Sequence, residues 1–98
     1  MNFNERVYEL CKRIPKGRVS TYKELAKALK TKGYRAVGNA LNKKPYAPTV
    51  PCHRVVASDG NLHGFAHGLK AKKELLEKEG IKIKNNKVVD FEKVLYKF

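Results

Sequence analysis

Two helical sequence patterns lie almost end to end between residues 21 and 43, separated by a short segment that contains Gly33. Thr21 and Glu24 have capping-box spacing and open the first pattern, which is expected to stop near Gly33. The second pattern starts at Tyr34 and runs to Asn42 or Lys44, where two prolines end it. Two short helices joined by a tight turn form a helix-turn-helix. The pair alone leaves open whether this is a DNA-binding module or an ordinary helical hairpin.

A further amphipathic helix is expected ahead of this pair. Its apolar positions recur at helical spacing and are Val7, Leu10, Cys11 and Ile14. Asn4 is the expected cap, and Pro15 is expected to end the helix. Cys11 falls on the apolar face, where free cysteine is usually a buried and inert thiol. It therefore provides an internal comparison for the second cysteine of the chain.

The C-terminal half combines one helix with several short extended pieces. HRVV reads as a strand, and residues 50–68 form a loop-rich segment that is the expected active-site loop. A helix is expected from Leu69 to Glu79-Gly80, then a hairpin around Asn85-Asn86 and a last helical turn within DFEKVLYKF. The fold class predicted for residues 1–98 is one mostly α domain with short strands, a winged helix-turn-helix-like DNA-binding domain.

Positive charge is the strongest compositional signal. The chain has 22 lysine and arginine residues against nine acidic residues, a net charge of +13. Such a field favours nucleic acid or an anionic membrane surface as a partner. Many of these cations fall on or near the two paired helices: Lys23, Lys27, Lys30, Lys32, Arg35, Lys43 and Lys44. Only Glu24 offsets them between residues 20 and 45, which favours DNA binding over a plain hairpin.

A membrane protein is not expected. No apolar run approaches the roughly 20 residues that span a bilayer. Asn4 and Glu5 interrupt any signal-peptide pattern at the N-terminus. We therefore expect a cytoplasmic protein.

The segment VPCHRVV at residues 50–56 places Cys52 between a proline and a histidine-arginine pair. A thiol becomes a useful nucleophile when nearby positive charge or a histidine lowers its pKa. Adjacent strand residues point to opposite faces, so His53 can act on Cys52 only if the backbone bends, and Pro51 is compatible with a bend. These residues alone leave Cys52 open between a buried structural thiol and a reactive nucleophile.

No metal or cofactor is expected from the ligand pattern. The two cysteines do not have zinc-site spacing. The histidines, His53, His63 and His67, lack a supporting carboxylate cluster, which makes them a poor zinc site.

Four segments together extend the cysteine motif: RAVGNAL at 35–41, PCHRVV at 51–56, GFAHGL at 64–69 and KKELLEKEG at 72–80. They resemble the catalytic domain of the 6-O-methylguanine-DNA methyltransferases, from about Arg6 to Gly80. The resemblance implies irreversible, single-turnover transfer of an alkyl group from 6-O-alkylguanine in DNA to the protein's own cysteine. It also implies a monomer without a cofactor. An N-terminal domain that many members carry is expected to be absent here.

The resemblance assigns catalytic roles to four residues. Cys52 is the alkyl acceptor, and His53 draws off its proton through a water. Glu79 orients the histidine, and Tyr22 donates a hydrogen bond to the guanine ring as charge builds on it. Without the resemblance, Glu79 also fits a surface charge at a helix end, and Tyr22 also fits a side chain packed beside the core.

The resemblance also implies a double-stranded DNA partner that contains alkylated guanine. Arg35 is expected to enter the duplex in place of the everted nucleotide, because the alkylated oxygen is otherwise buried in the base stack. The second helix is expected in the minor groove, where Ala36 and Gly38 allow close approach, and Lys44 joins this DNA-binding surface. Such binding is expected to be largely independent of sequence and strongly dependent on salt.

The substrate pocket that the resemblance implies is made of residues on both sides of the cysteine: Pro51, Val55, Phe65, Ala66 and His67. Lys44 stands where members often have asparagine. Ala66 has no hydroxyl and His67 adds bulk, so the range of accepted alkyl groups is expected to differ. The rival interpretation is a non-enzymatic alkyltransferase-like protein that binds and flags alkylated DNA. That class usually has tryptophan at the cysteine position, so Cys52 argues against it.

Overall fold

A computed structural model describes residues 2–43, 50–62 and 68–98 of the chain. The described helices are α1 (Phe3–Arg13), α2 (Tyr22–Ala28), α3 (Tyr34–Asn42), α4 (Leu69–Lys78) and α5 (Phe91–Val94), with a single 3₁₀ turn at Cys52–Arg54. The described strands are β1 (Ser20–Thr21), β2 (Val55–Val56), β3 (Ile83–Lys84) and β4 (Lys87–Val88). The predicted mostly α, helix-turn-helix-like fold with short strands is confirmed. In these ranges no helix has the length and apolar character needed to cross a membrane.

Helix α1 is capped two residues earlier than the sequence pattern suggests. The side chain of Asn2 accepts a hydrogen bond from the backbone N–H of Glu5 at 2.9 Å. Asn4, the expected cap, lies inside the first turn, so that assignment is wrong. The helix stops at Arg13 because Ile14 adopts an extended conformation ahead of Pro15.

Helices α2 and α3 form the predicted pair. The Thr21 hydroxyl accepts from the N–H of Glu24 at 3.0 Å, as the capping-box spacing predicts. Helix α2 ends at Ala28, well before the expected stop. Lys30 adopts a left-handed conformation, with φ of 57°, and its N–H bonds back to the carbonyl of Lys27. Gly33 instead precedes α3, so the glycine opens the second helix and does not end the first.

Replacing Lys30 with glycine should stabilise the protein. A lysine in the left-handed region carries a steric cost that glycine does not have, so the free energy of unfolding should rise by about 1 kcal/mol. Gly80→Ala is the inverse control, because Gly80 has φ of 91° and should lose a similar amount on gaining a Cβ. Urea denaturation measures both. Equal stabilities of Lys30→Gly and the wild type would contradict this account of the helix end.

A short parallel sheet divides the interior. Ser20 pairs with Val55 and Thr21 with Val56. One core cluster lies among α1, α2 and α3 and contains both cysteines; its buried members are Val7, Cys11, Ile14, Leu25, Ala26, Leu29, Val37, Ala40, Leu41, Val50, Cys52 and Val55. The other lies among α4, the β3–β4 hairpin and the tail, with buried members Val19, Val56, Leu62, Leu76, Ile81 and Val88. The cysteine turn therefore stands directly before the strand that separates the two clusters.

The end of α4 is built around Gly80. Its N–H bonds to the carbonyl of Glu77, and the N–H of Ile81 bonds to the carbonyl of Leu76, which is the Schellman pattern. This fixes Glu79 as the last residue before the chain turns away from the helix axis. The predicted hairpin is also confirmed, with Asn85 and Asn86 both left-handed in its two-residue turn.

Candidate active site

The motif cysteine lies in a bend, not in a strand. Cys52, His53 and Arg54 form a single 3₁₀ turn after Pro51, in which the N–H of Arg54 bonds to the carbonyl of Pro51 at 3.0 Å. The expectation that all of HRVV is extended is therefore wrong for its first two residues. Proline cannot donate to a ladder, and its fixed φ favours a turn at this point. The bend that His53 needs in order to act near Cys52 is present.

His53 is fully buried and contacts Glu79. The distance from Nε2 of His53 to Oε2 of Glu79 is 3.1 Å. A carboxylate only accepts, so Nε2 carries the proton and donates it to the carboxylate. Nδ1 is then unprotonated, and it is buried without a hydrogen-bond partner in the described part of the chain. Burial lowers the pKa of His53 although Glu79 acts to raise it, so the neutral, basic form prevails at neutral pH.

Arg54 holds the same carboxylate from the other side, a contact that the sequence did not reveal. Its Nε donates to Oε1 of Glu79 at 2.9 Å, and its terminal nitrogen donates to Oε2 at 2.6 Å. Another terminal nitrogen donates to the carbonyl of Ile14 at 2.8 Å, which ties this fork to the end of α1. Burial acts to raise the pKa of Glu79, but the hydrogen bonds from Arg54 and His53 outweigh it and hold the pKa below its usual value. Glu79 is therefore ionised and fixed in orientation.

Lys72 is a second contributor that was missed. Its side chain is fully buried, and its Nζ donates to the carbonyl of Val55 at 2.6 Å. The N–H of Val55 in turn donates to the carbonyl of Cys52, so the lysine is linked to the cysteine turn. Burial lowers the pKa of Lys72 to about 8, while the Cys52 thiol acts to raise it. The signal was available, because a lysine stands within the apolar spacing of Leu69, Leu75 and Leu76.

The two thiols differ less in burial than in surroundings. Burial raises the pKa of Cys11 to about 12, as expected for an inert core thiol. Burial also raises the pKa of Cys52, although its own N–H, the charge of Lys72 and the N–H of His53 all act to lower it. These neighbours therefore do not bring the pKa of Cys52 below its usual value. Cys52 is a protonated thiol at neutral pH and needs a base in order to react.

Tyr22 stands at the first position of α2, half-buried against the core cluster that contains Cys52. Burial and then the nearby thiols raise its pKa, so the phenol keeps its proton at neutral pH. It also lines an open cleft of about 360 Å³, whose other described residues are Lys23, Tyr34, Ala57 and Ser58. The tyrosine thus connects the interior around the cysteine with the outer surface.

Helix α3 presents small residues and a cation outward. Arg35 and Ala36 are exposed, and a Cβ built at Gly38 would meet no atom within 4 Å. The opposite face of the helix packs into the core through Val37, Ala40 and Leu41. Small residues therefore lie on the outer surface of α3 beside the exposed guanidinium.

The remaining predicted site residues divide into two groups. Pro51 and Val55 are buried, and Val55 lies within the first core cluster. Four others lie outside the described residues: Lys44, Phe65, Ala66 and His67. Over the described ranges, no group of three or more histidine, cysteine or acidic residues is placed to hold a metal ion.

Acid should destabilise this site in two steps. The pKa of His53 is lowered in the folded chain, so the unfolded chain binds its proton first, and stability is lost as pH falls below about 6.5. The lowered pKa of Glu79 adds a second loss as pH falls below about 4.3. Thermal denaturation from pH 8 to pH 2 measures both steps, and His53→Gln should remove the first one. A melting temperature that stays flat between pH 7 and pH 5 would contradict the burial of a neutral His53.

Fold and site together define a helix-turn-helix domain in which a buried cysteine precedes a histidine that contacts a glutamate. A sequence model of the 6-O-methylguanine DNA methyltransferase DNA-binding domain matches residues 2–81. The chain belongs to this family. A methylated-DNA--protein-cysteine methyltransferase of Sulfolobus acidocaldarius is 51% identical over 82 residues, which cover 84% of this chain and 52% of that protein. The chain thus spans about half the length of the curated relatives it matches.

Two solved structures show the same fold. The crystal structure of the O6-methylguanine-DNA methyltransferase of Pyrococcus kodakaraensis KOD1 matches with a TM-score of 0.75 at 49% identity, over 83% of this chain and 47% of that one. S. pombe Atl1, in complex with damaged DNA containing O6-carboxymethylguanine, matches with a TM-score of 0.83 at 32% identity. That match covers 98% of this chain and 95% of Atl1.

Proposed function

We propose that this domain carries the transfer chemistry itself and moves the alkyl group of 6-O-alkylguanine in double-stranded DNA irreversibly onto Cys52. A bond forms between Sγ and the alkyl carbon, and the bond between that carbon and the guanine oxygen breaks. The thiol proton passes to His53, and the guanine anion that leaves takes up one proton from water, so the base ends as neutral guanine. The observation that carries the proposal is the turn that sets Cys52 beside a buried histidine whose far nitrogen is held by Glu79.

The protonation states support a coupled proton transfer. Cys52 is protonated at neutral pH because burial raises its pKa, so the nucleophile must be generated as the reaction proceeds. His53 is neutral, and its Nδ1 is the available basic atom. A water between Sγ and Nδ1 would carry the proton, since a buried polar atom of this kind commonly binds one. Glu79 would stabilise the imidazolium that forms, in the manner of a catalytic triad.

The leaving base is proposed to be stabilised by Tyr22. Its raised pKa keeps the phenol in the donating form while negative charge builds on the guanine. Its place between the cysteine's core cluster and the 360 Å³ cleft suits a base that enters from the surface.

DNA is the proposed partner, and the surface of α3 supports it. The alkylated base must leave the stack, and Arg35 is exposed on the helix surface from which it could fill the gap. Ala36 and the open space at Gly38 would let α3 approach a minor groove closely. The net charge of +13 attracts the phosphates of DNA whatever the base sequence. We therefore propose DNA binding that is largely independent of base sequence. We also propose that the protein binds as a monomer.

A second candidate is a protein that binds alkylated DNA without reacting. The match to Atl1 over nearly the full length of both chains favours it. Cys52 argues for the enzyme, because a buried thiol next to a neutral histidine is the group that the transfer needs.

Restoration of guanine in DNA tests the choice. A duplex with 6-O-methylguanine inside a restriction site resists cleavage, and incubation with the wild type should restore cleavage in proportion to the protein added. Cys52→Ser should bind the duplex but restore nothing, whereas Cys11→Ala should stay active where it remains folded. Binding without restoration by the wild type would select the non-reacting class instead.

A further inference from the structure

The last residues of the chain are fastened to the strand that leads into α2. The N–H of Val19 donates to the carbonyl of Val94 at 2.9 Å, and the N–H of Tyr96 donates to the carbonyl of Val19 at 2.7 Å. The hydroxyl of Ser20 donates to the carbonyl of Tyr96 at 2.9 Å. These residues of the tail lie beyond the part of the chain that the family match covers. The bonds fix the backbone next to Lys97 beside α2.

A cleft of about 280 Å³ lies between α2 and this tail, and we call it the tail cleft. Its described lining residues are Thr21, Lys23, Glu24, Lys27, Ser58, Phe91, Leu95 and Lys97. Lys23, Lys27 and Lys97 are all exposed, and Glu24 is the one acid among the described lining residues. In the ranges that the structure describes, none of the three lysines takes part in an ion pair. The tail cleft therefore carries a net positive charge.

The tail cleft is continuous with the surface at Tyr22. Lys23 and Ser58 line both the tail cleft and the 360 Å³ cleft that Tyr22 borders. Lys27 is one helical turn further along α2 from Lys23, so the two ammonium groups follow the same side of the helix. Lys27 and Lys97 also border a smaller adjoining cleft beside Ala28 and Phe98. A line of lysines thus leads from the 360 Å³ cleft at Tyr22 toward the C-terminus.

We infer that the tail cleft binds the DNA phosphate backbone outside the damaged nucleotide, with Lys27 and Lys97 each contacting a phosphate. The inference rests on the proposed function, because it places the duplex at the neighbouring Tyr22 cleft. A duplex seated there continues past Lys23 and presents regularly spaced negative charges to the next lysines. Lysine suits this task as a point charge that needs no particular phosphate geometry. The tail would then lengthen the DNA footprint without reading sequence.

Salt dependence of binding tests the inference. Lys27→Gln/Lys97→Gln should reduce the slope of log K against log salt by about 2, since each phosphate contact contributes about 0.9. The loss should be the same on damaged and undamaged duplexes, and methyl transfer at saturating DNA should not change. Lys82→Gln/Lys84→Gln is the matched control, because it removes the same charge from exposed residues at the start of the β3–β4 hairpin that do not line the cleft.

The outcomes separate this inference from the proposed function. Equal slopes for the wild type and Lys27→Gln/Lys97→Gln would overturn the inference, and so would equal losses in the test and control pairs. A wild type that binds DNA but transfers no methyl group would overturn the enzyme proposal alone. The slope comparison would then still decide whether the tail cleft contacts phosphates. Lys23 is kept in every variant because it also borders the cleft at Tyr22.

Discussion

Glu79→Gln should lower the rate of methyl transfer to Cys52 by about 100-fold, the scale of a lost proton-transfer contribution. Glutamine can still accept from Nε2 of His53, but it has no charge to stabilise the imidazolium that forms during the reaction. The change also leaves Arg54, whose side chain is only 15% exposed, without its carboxylate. Breaking a pair this buried costs about 3 kcal/mol of stability. Single-turnover kinetics and urea denaturation measure the two effects separately.

A pH profile separates the chemical role of Glu79 from a purely structural one. Glu79 acts to raise the pKa of His53, so its loss should move the acidic limb of the rate profile to lower pH. Glu77→Gln, on the exposed side of the same helix, is the control and should leave rate, profile and stability unchanged. A Glu79→Gln protein that is folded and reacts at the wild-type rate would show that the histidine needs no carboxylate.

Lys72→Met should slow the reaction about tenfold at neutral pH, because the loss of a nearby positive charge raises the pKa of the Cys52 thiol further. The charge of Lys72 acts to lower the pKa of Cys52, and methionine keeps a similar length without that charge. The same change removes a buried ammonium and a hydrogen bond to Val55, two effects of opposite sign on stability. The rate of alkylation by iodoacetamide as a function of pH reports the thiol pKa directly.

The pH dependence of the free energy of unfolding gives a second measurement of the buried charge of Lys72. Its pKa of about 8 in the folded chain lies below the usual value near 10.4, so the unfolded chain holds the proton more tightly. Lys72 therefore makes the free energy of unfolding rise with pH between these two values, and Lys72→Met should lack that contribution. Lys73→Met, on the exposed neighbour, should behave as the wild type. An unchanged Cys52 alkylation profile in Lys72→Met would refute the electrostatic link.

Local signals predicted the elements that are set by neighbouring residues. The Thr21 cap, the extent of α3, the Gly80 helix end and the Asn85-Asn86 turn are all confirmed. The end of α2 could not be predicted, because it depends on a lysine in a conformation that usually favours glycine. The sequence pattern assigned the stop to Gly33 for the same reason.

The candidate site was predicted less completely, because its support comes from distant parts of the chain. The contact between His53 and Glu79 is present as the family resemblance implies, while the catalytic roles remain predictions. Arg54 reaches a carboxylate 25 residues away and Lys72 a carbonyl 17 residues away, and no local periodicity encodes such pairs. The raised pKa of Cys52 also follows from tertiary burial, which outweighs the charged neighbours visible in the motif.

The most direct test of the central proposal is the mass of the Cys52 peptide after reaction with a duplex that contains 6-O-methylguanine. Excess duplex should add one methyl group to Cys52 in every active chain, with no methyl group on Cys11 and no further turnover. His53→Gln should slow this addition without changing its site. A wild-type protein that binds the duplex and leaves Cys52 unmodified would contradict the proposal.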